Sequence, residues 1–175
     1  MRPAGYTLIE LLVVMAIMSI MAVVGFVNFK DFSSEQVTVK AIGQIQSLLR
    51  LAQSNATSGI LCSAPQAAKL WYLVITSTNV DLSCDTATTV NAYHRGYPTD
   101  NVTISVKCST GDTSGITLPV TISYFPLSGQ ISFKGSDSST VCSNTNSLFI
   151  TATNTQNISL TKSLTISKGG AIDVQ

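Results

Sequence analysis

One stretch constrains this chain more than any other. After Glu10 it reads LLVVMAIMSIMAVVGFV, Leu11 to Val27, with Ser19 as its only polar residue, and Lys30 and Asp31 close the run. With Leu8 and Ile9 ahead of Glu10 it approaches the roughly 20 residues that cross a hydrocarbon core. Arg2 is the only charged residue before Glu10, so the positive-inside rule places the N-terminus in the cytoplasm and exports the remainder. A cleavable secretory signal has an apolar region of about 7–15 residues followed by a small-residue cleavage site. Here the run is longer, no A-x-A site follows, and an acid interrupts its start. A plain anchor with Glu10 snorkelling to the interface is the other simple reading. A carboxylate near the end of a span costs less than the about 3 kcal/mol of a mid-membrane charge.

The residues around Glu10 add a sharper pattern. Gly5-Tyr6-Thr7-Leu8-Ile9-Glu10-Leu11-Leu12 resembles the prepilin processing site of type IV pilins and type II secretion pseudopilins. The resemblance implies a leader of residues 1–5, cleaved after Gly5 by prepilin peptidase on the cytoplasmic side. It implies a mature N-terminus at Tyr6, N-methylated there, and Glu10 as an assembly residue that pairs with the N-terminal amine of a neighbouring subunit. The family more often has Phe where Tyr6 stands. Physics supports the pairing: Glu10 lies four residues after the new amine, on the same helix face, near the positive end of the helix dipole. A lone carboxylate in a bilayer seeks a cation.

The next proline after Pro3 is Pro65, so nothing forces a break where the apolar run ends. Phe32, Val39, Ile42, Ile45, Leu49, Ala52 and Ala56 recur at steps of three, four or seven, an amphipathic helical stripe. The spacing predicts one helix from about Tyr6 to about Ser58, an apolar half over 6–28 and an amphipathic half over 29–58. From Gly59 the period turns to two. Ile116 to Tyr124, Val102 to Val106, Ile131 with Phe133, and Leu148 to Ala152 alternate apolar with polar. Leu164-Ile166 and Ile172-Val174 flank the hairpin-like turn Lys168-Gly169-Gly170, and Leu70–Ile75 reads as a more buried strand. Pro119 demotes the start of its strand to an edge or bulge. Segments 77–89, 109–115 and 135–147 read as Ser/Thr/Asn/Asp/Gly-rich loops. The fold class is α+β: a long helical spine packed on an antiparallel sheet domain, 59–175, of one sheet or two. Tyr124-Phe125-Pro126-Leu127-Ser128-Gly129-Gln130-Ile131 and the closing Leu164–Ile172 hairpin narrow the resemblance to minor pseudopilins of the H type, with one extra residue before Gly129.

Cys62, Cys84, Cys108 and Cys142 all follow the apolar run. In an exported domain an even count suggests two disulfides, with three connectivities. Cys62–Cys84 with Cys108–Cys142 is favoured, each stapling a loop-rich segment to a neighbouring strand. One histidine cannot complete a zinc pattern, so no metal or cofactor is expected. As an enzyme the chain is poor: His94-Arg95 near Asp100 is the nearest thing to a triad, on what reads as a polar loop, with no nucleophile elbow or phosphate loop. Asn55, Asn101 and Asn157 begin glycosylation sequons of the kind a Ser/Thr-rich chain holds by chance.

Charge sorts the remaining classes. Only 11% of residues are charged, 45% are hydrophobic and the net charge is +1, while mean hydropathy is +0.33. Nine basic and eight acidic residues follow the apolar run. Nucleic-acid binding by clustered cations has little to work with, although Lys162 and Lys168 could share a surface as in a DNA-uptake pilin. An adhesin-like module displayed on a filament suits the Asn/Thr-rich loops. The reading reached is a non-enzymatic minor pseudopilin or pilin, held in the inner membrane by its helix. Its expected partners are prepilin peptidase/methyltransferase, other subunits and a secretion or pilus assembly platform.

Overall fold

The structure is a computed structural model that describes residues 7–62, 67–108, 115–137, 139–142 and 147–175, with residues 24–31 described as backbone alone. Its spine is α1, Leu8–Thr57, about 75 Å long at 1.5 Å per residue. Thr7 starts it as N-cap. Its hydroxyl accepts from the Glu10 N–H at 3.4 Å, and the Glu10 carboxylate accepts from the Thr7 N–H at 3.4 Å, a capping box. At the other end Gly59 takes φ +64°, and the Ile60 N–H reaches back to the Asn55 carbonyl at 3.0 Å. The glycine makes the left-handed exit cheap, and the helix stops there.

The sheet domain follows. Strands β1 (Ala68–Ile75), β2 (Asn79–Thr86), β3 (Tyr93–Pro98), β5 (Val120–Tyr124) and β6 (Ile131–Lys134) form one antiparallel sheet in the order β3-β2-β1-β5-β6. Strands β4 (Val102–Lys107), β7 (Ser147–Asn154), β8 (Thr161–Ser167) and β9 (Ile172–Val174) form a second, in the order β4-β7-β8-β9. Both lay their apolar faces against the C-terminal half of α1. Thr38, Ala41, Ile42, Ile45, Leu48, Leu49, Ala52 and Ala56 of the helix are buried, against Trp71, Leu73 and Ile75 of β1 and Leu148, Ile150, Leu164 and Ile166 of the second sheet.

Several expectations need correction. Phe32 and Val39 belong to the sequence stripe but are 59% and 45% exposed: Phe32 lies before burial of the helix begins at Thr38, and Val39 lies past that point on the margin of the covered face. Most of segment 77–89 is no loop: it holds β2, whose inward Val80, Leu82, Cys84 and Thr86 alternate with half-buried Asp81 and Asp85 and with Ser83, which is buried on the other face. Two of the inward residues, Cys84 and Thr86, do not read as core, which hid the period. The segment carrying His94 is also a strand, β3, paired to β2 with Ser83 opposite His94. β5 begins only after Pro119, whose preceding peptide is cis, and it lies between β1 and β6 rather than at an edge. A proline cannot donate to a ladder, so the pairing starts one residue later. Ile116 instead donates from its N–H to the Val106 carbonyl of β4 at 2.8 Å. Of the expected loop 109–115, residues 109–114 lie outside the described residues. In 135–147, Thr140 bridges Lys134 and the Val141 N–H bonds the Phe133 carbonyl at 3.1 Å, so part of it extends the β6 edge.

Candidate assembly surface

Gly5 and Tyr6 lie outside the described residues. Glu10 stands in the first turn of α1, exposed, its carboxylate turned back on Thr7. An N3 carboxylate in a capping box neutralises backbone N–H groups and the helix dipole. Glu10 is therefore held at the helix tip, where a cation from outside the chain can reach it. Beyond it every described side chain from Leu8 to Val23 is exposed, Leu8 at 80% and Met21 at 71%. A continuous apolar surface of this size marks a site of burial against something else. The hydroxyl of Ser19 donates to the Met15 carbonyl at 2.8 Å, so even the polar residue of the run asks for no partner. Among the described residues no helix is long and apolar enough to cross a membrane. The described side chains of the run end at Val23, and in sequence it continues to Val27.

The four cysteines fall into two pairs, Cys62 with Cys84 and Cys108 with Cys142, as disulfides with Cα–Cα separations of 5.7 and 5.1 Å. The first ties the segment leaving α1 to β2. The second ties the end of β4 to the segment after β6. The turn Phe125–Gln130 joins β5 to β6, with Leu127 at φ +63° and Gly129 at φ +65°. Its Leu127 N–H donates to the Ala56 carbonyl at 3.1 Å, which the Gly59 N–H also reaches at 3.4 Å, so the turn adds a second donor to a carbonyl at the helix end. The β8–β9 hairpin makes the matching contact further down, where Gln53 Nε2 donates to the Gly170 carbonyl at 3.4 Å. Both turns singled out in the sequence thus grip the spine.

A residue with no signal in the sequence reading holds the lower end. Asn154 closes β7 and is 1% exposed. Its Nδ2 donates to the Ser34 carbonyl of α1 at 2.8 Å, and its Oδ1 accepts from the N–H groups of Gln156 at 2.8 Å and Asn157 at 3.1 Å. The only available clue was the Asn-Thr-Gln-Asn composition, ordinary Asx-turn chemistry.

His94 Nδ1 is 3.0 Å from Ser83 Oγ, but Ser83 is 2% exposed and presents no open hydroxyl. Tyr72 donates to Asp85 Oδ1 at 3.0 Å and also meets Asn91 Oδ1. Burial first, then the bonded and charged Asp85, pushes its phenol up to about 12. The same Asp85 oxygen accepts from the Asn91 N–H at 2.7 Å, so this cluster orders the β2–β3 connection. Among the described residues no group of three His, Cys, Asp or Glu side chains could hold a metal. Lys162 faces Glu35 at 3.8 Å, so its cation answers an acid of the same chain.

Residues 1–26 match the family model described as the prokaryotic N-terminal methylation motif. No curated protein and no solved structure matches the chain. That motif is the prepilin-cleavage signal of type IV pilins and pseudopilins, and this chain carries it at the head of a long helix packed on an antiparallel sheet domain, a pilin-like α+β layout.

Proposed function

We propose that the chain is a minor pseudopilin or pilin, a structural subunit added to a filament that serves protein secretion. One observation carries the reading: the methylation motif leads directly into a helix whose apolar half is exposed and whose other half is clamped on a sheet domain. On this reading residues 1–5 are the leader, 6–28 the membrane and filament-core half, 29–58 the amphipathic half and 59–175 the exported domain. Prepilin peptidase cuts between Gly5 and Tyr6, and Tyr6 receives the N-methyl group. The subunit waits in the inner membrane with its N-terminus cytoplasmic. The membrane stage rests on the whole run from Leu8 to Val27, including its sequence beyond Val23. Two disulfides suit a periplasmic or extracellular domain. The turn of β5–β6 and the β8–β9 hairpin, both seated on α1, support the H-type resemblance.

Glu10 is the residue to test. Its carboxylate sits at the helix tip, where the freed amine of a neighbour would be an adequate cation in a low-dielectric core. Glu10→Ala is expected to leave processing intact, seen as a mature mass lacking residues 1–5, while filament incorporation collapses. Normal incorporation of Glu10→Ala would remove the assembly role, and a mature N-terminus other than Tyr6 would remove the processing site.

A further inference from the structure

The two sheets have four edges, and among the described residues three are closed or short. On β6, Thr140 bridges Lys134 and the Val141 N–H takes the Phe133 carbonyl at 3.1 Å. On β4, the Ile104 N–H reaches the Ser77 carbonyl at 3.1 Å, and the Val106 carbonyl accepts from Ile116. The β9 edge is three residues long. The fourth edge is β3, where His94, Arg95, Gly96 and Pro98 are exposed and, among the described residues, no backbone bond arrives from beyond β2. An open edge is a template for another strand. We propose that β3 takes up an extended segment of another protein, antiparallel, with an acidic side chain opposite Arg95. Such binding needs no filament and does not depend on the role proposed above.

The pairing of β2 decides which backbone groups are open. The Thr76 N–H bonds the Asn79 carbonyl at 2.9 Å, and the Thr99 N–H bonds the Thr78 carbonyl at 2.8 Å. Alternation from those two points turns the N–H and C=O groups of Tyr93, Arg95 and Tyr97 toward β2. Those of His94 and Gly96, with the Pro98 carbonyl, point away from the sheet. Pro98 therefore stands where its missing N–H costs the fold no bond. An incoming antiparallel strand meets a donor and an acceptor at His94, the same at Gly96, and one more acceptor at Pro98.

Side chains specify the occupant. Arg95 and Tyr97 lie opposite Leu82 and Val80, on the face turned toward α1. The Arg95 guanidinium rests over the Tyr97 ring, 5.0 Å from its centroid. Beside Tyr97 a cleft of about 260 Å³ opens between the strand and α1, walled by Val37, Lys40 and Gln44 of the helix and by Thr99 and Asp100. Among the described residues no carboxylate pairs with Arg95 or Lys40, so two cations face this strip against the one acid Asp100. A carboxylate opposite Arg95 is the complement, since opposite charges on facing strand residues attract. Two positions earlier in the incoming strand, a small apolar residue opposite Tyr97 enters the cleft.

A second copy fits poorly. In the antiparallel register that sets His94 against Gly96, Arg95 falls opposite Arg95 of the other copy, and like charges so placed repel. With Gly96 opposite Gly96, His94 meets Pro98 and a bond is forfeited at each end. The side chain that turns away a copy of this chain is the one that selects an acid.

The test uses the full chain in a neutral detergent and the fluorophore-labelled peptide Ser-Thr-Thr-Val-Thr-Glu-Thr-Ser, with Val set for the cleft and Glu for Arg95. Anisotropy is expected to show saturable binding, and hydrogen exchange to show the His94 and Gly96 amides protected about tenfold or more by the peptide. N-methylation of the Thr between Val and Glu removes the N–H that meets the Gly96 carbonyl and is expected to abolish binding. Exchanging the peptide Glu for Lys is expected to weaken it about tenfold. Arg95→Glu, at an exposed position, is expected to keep the melting temperature and reverse that preference. No binding at about 1 mM peptide, or equal binding of the N-methylated and parent peptides, overturns strand addition. A preference for Glu that survives Arg95→Glu overturns the choice of an acid. Protection of the same two amides in the chain alone, rising with its concentration, gives the edge to a second copy and overturns the acidic partner.

Discussion

Asn154 offers the sharpest test of how the domain holds its spine. The side chain is 1% exposed and fully used: Nδ2 on the Ser34 carbonyl, Oδ1 on the N–H groups of Gln156 and Asn157. Those partners also fix its orientation, since two donors require the oxygen and a carbonyl requires the nitrogen. Asn154→Ala removes all three bonds. Gln156 is exposed, so its N–H regains water and that bond contributes at the low end of the usual 0.5–1.5 kcal/mol. The bond to Ser34 is the enclosed one and contributes at the high end. The expected loss is about 2–3 kcal/mol, once the small cavity is included. Asn154→Asp keeps both acceptor bonds but sets a carboxylate against the Ser34 carbonyl in a buried site. It is expected to be worse than alanine at neutral pH and to recover in acid, where the protonated group donates. Thermal unfolding of the full chain in detergent, followed by circular dichroism, gives the stabilities, and hydrogen exchange of the α1 amides near Ser34 gives the local effect. If Asn154→Ala stays within about 0.5 kcal/mol of the parent, the bond to Ser34 is incidental and the lower clamp is apolar packing alone.

Three further outcomes follow from the same structure. Replacing Cys108 and Cys142 by Ser opens a loop with a sequence separation of 34 and is expected to cost about 4 kcal/mol. Opening Cys62–Cys84, with a separation of 22, should cost slightly less; equal melting of reduced and oxidised protein would contradict both. Gly170→Ala places a Cβ 2.5 Å from Gln53 Nε2 at φ +90°, so it should destabilise by about 1–3 kcal/mol, and prior removal of the Gln53 amide (Gln53→Ala) should lessen the penalty. In alkali, Tyr72 ionises at about 12 rather than 10.0 because of burial and Asp85, and burial raises Tyr124 as well. Both phenols favour the neutral form in the fold, so their stabilisation is complete below pH 10 and is lost as pH rises through the folded values. Phenolate absorbance should show two late-titrating tyrosines, and a curve in which all five of the chain's tyrosines titrate together near 10 would refute it.

The parts of this chain that sequence exposed are those where one physical demand acts alone. The alternations of β4, β7 and β8 each answer to a single environment, the core, and the apolar run to a single demand, burial against something outside its own fold. β2 was hidden because Cys84 and Thr86 fill core positions without being conspicuously apolar, and β3 because an edge strand with Arg95 exposed has only half a face to bury. The helix stripe overran at Phe32, since a period of 3.6 marks which face is apolar but not where along the helix a sheet begins to cover it, and at Val39, which sits on the margin of the covered face. Asn154 is tertiary by nature. Its partner Ser34 is 120 residues away, and no local pattern distinguishes it from a loop asparagine.

Asn154 bonds the spine at Ser34, and α1 runs on from there to Leu8, about 40 Å of rod. Such a rod works as a lever with its fulcrum at Asn154. A tilt of about 5° at the fulcrum carries the far tip sideways by about 3.5 Å, more than a third of the usual 8–10 Å between packed helix axes. Small errors of angle in the domain would therefore move the tip out of register with any neighbour. Stiffness where the sheets meet the helix is in this sense a requirement imposed from the opposite end of the molecule, and torque applied at the tip is delivered to the strands gripping residues 34–56.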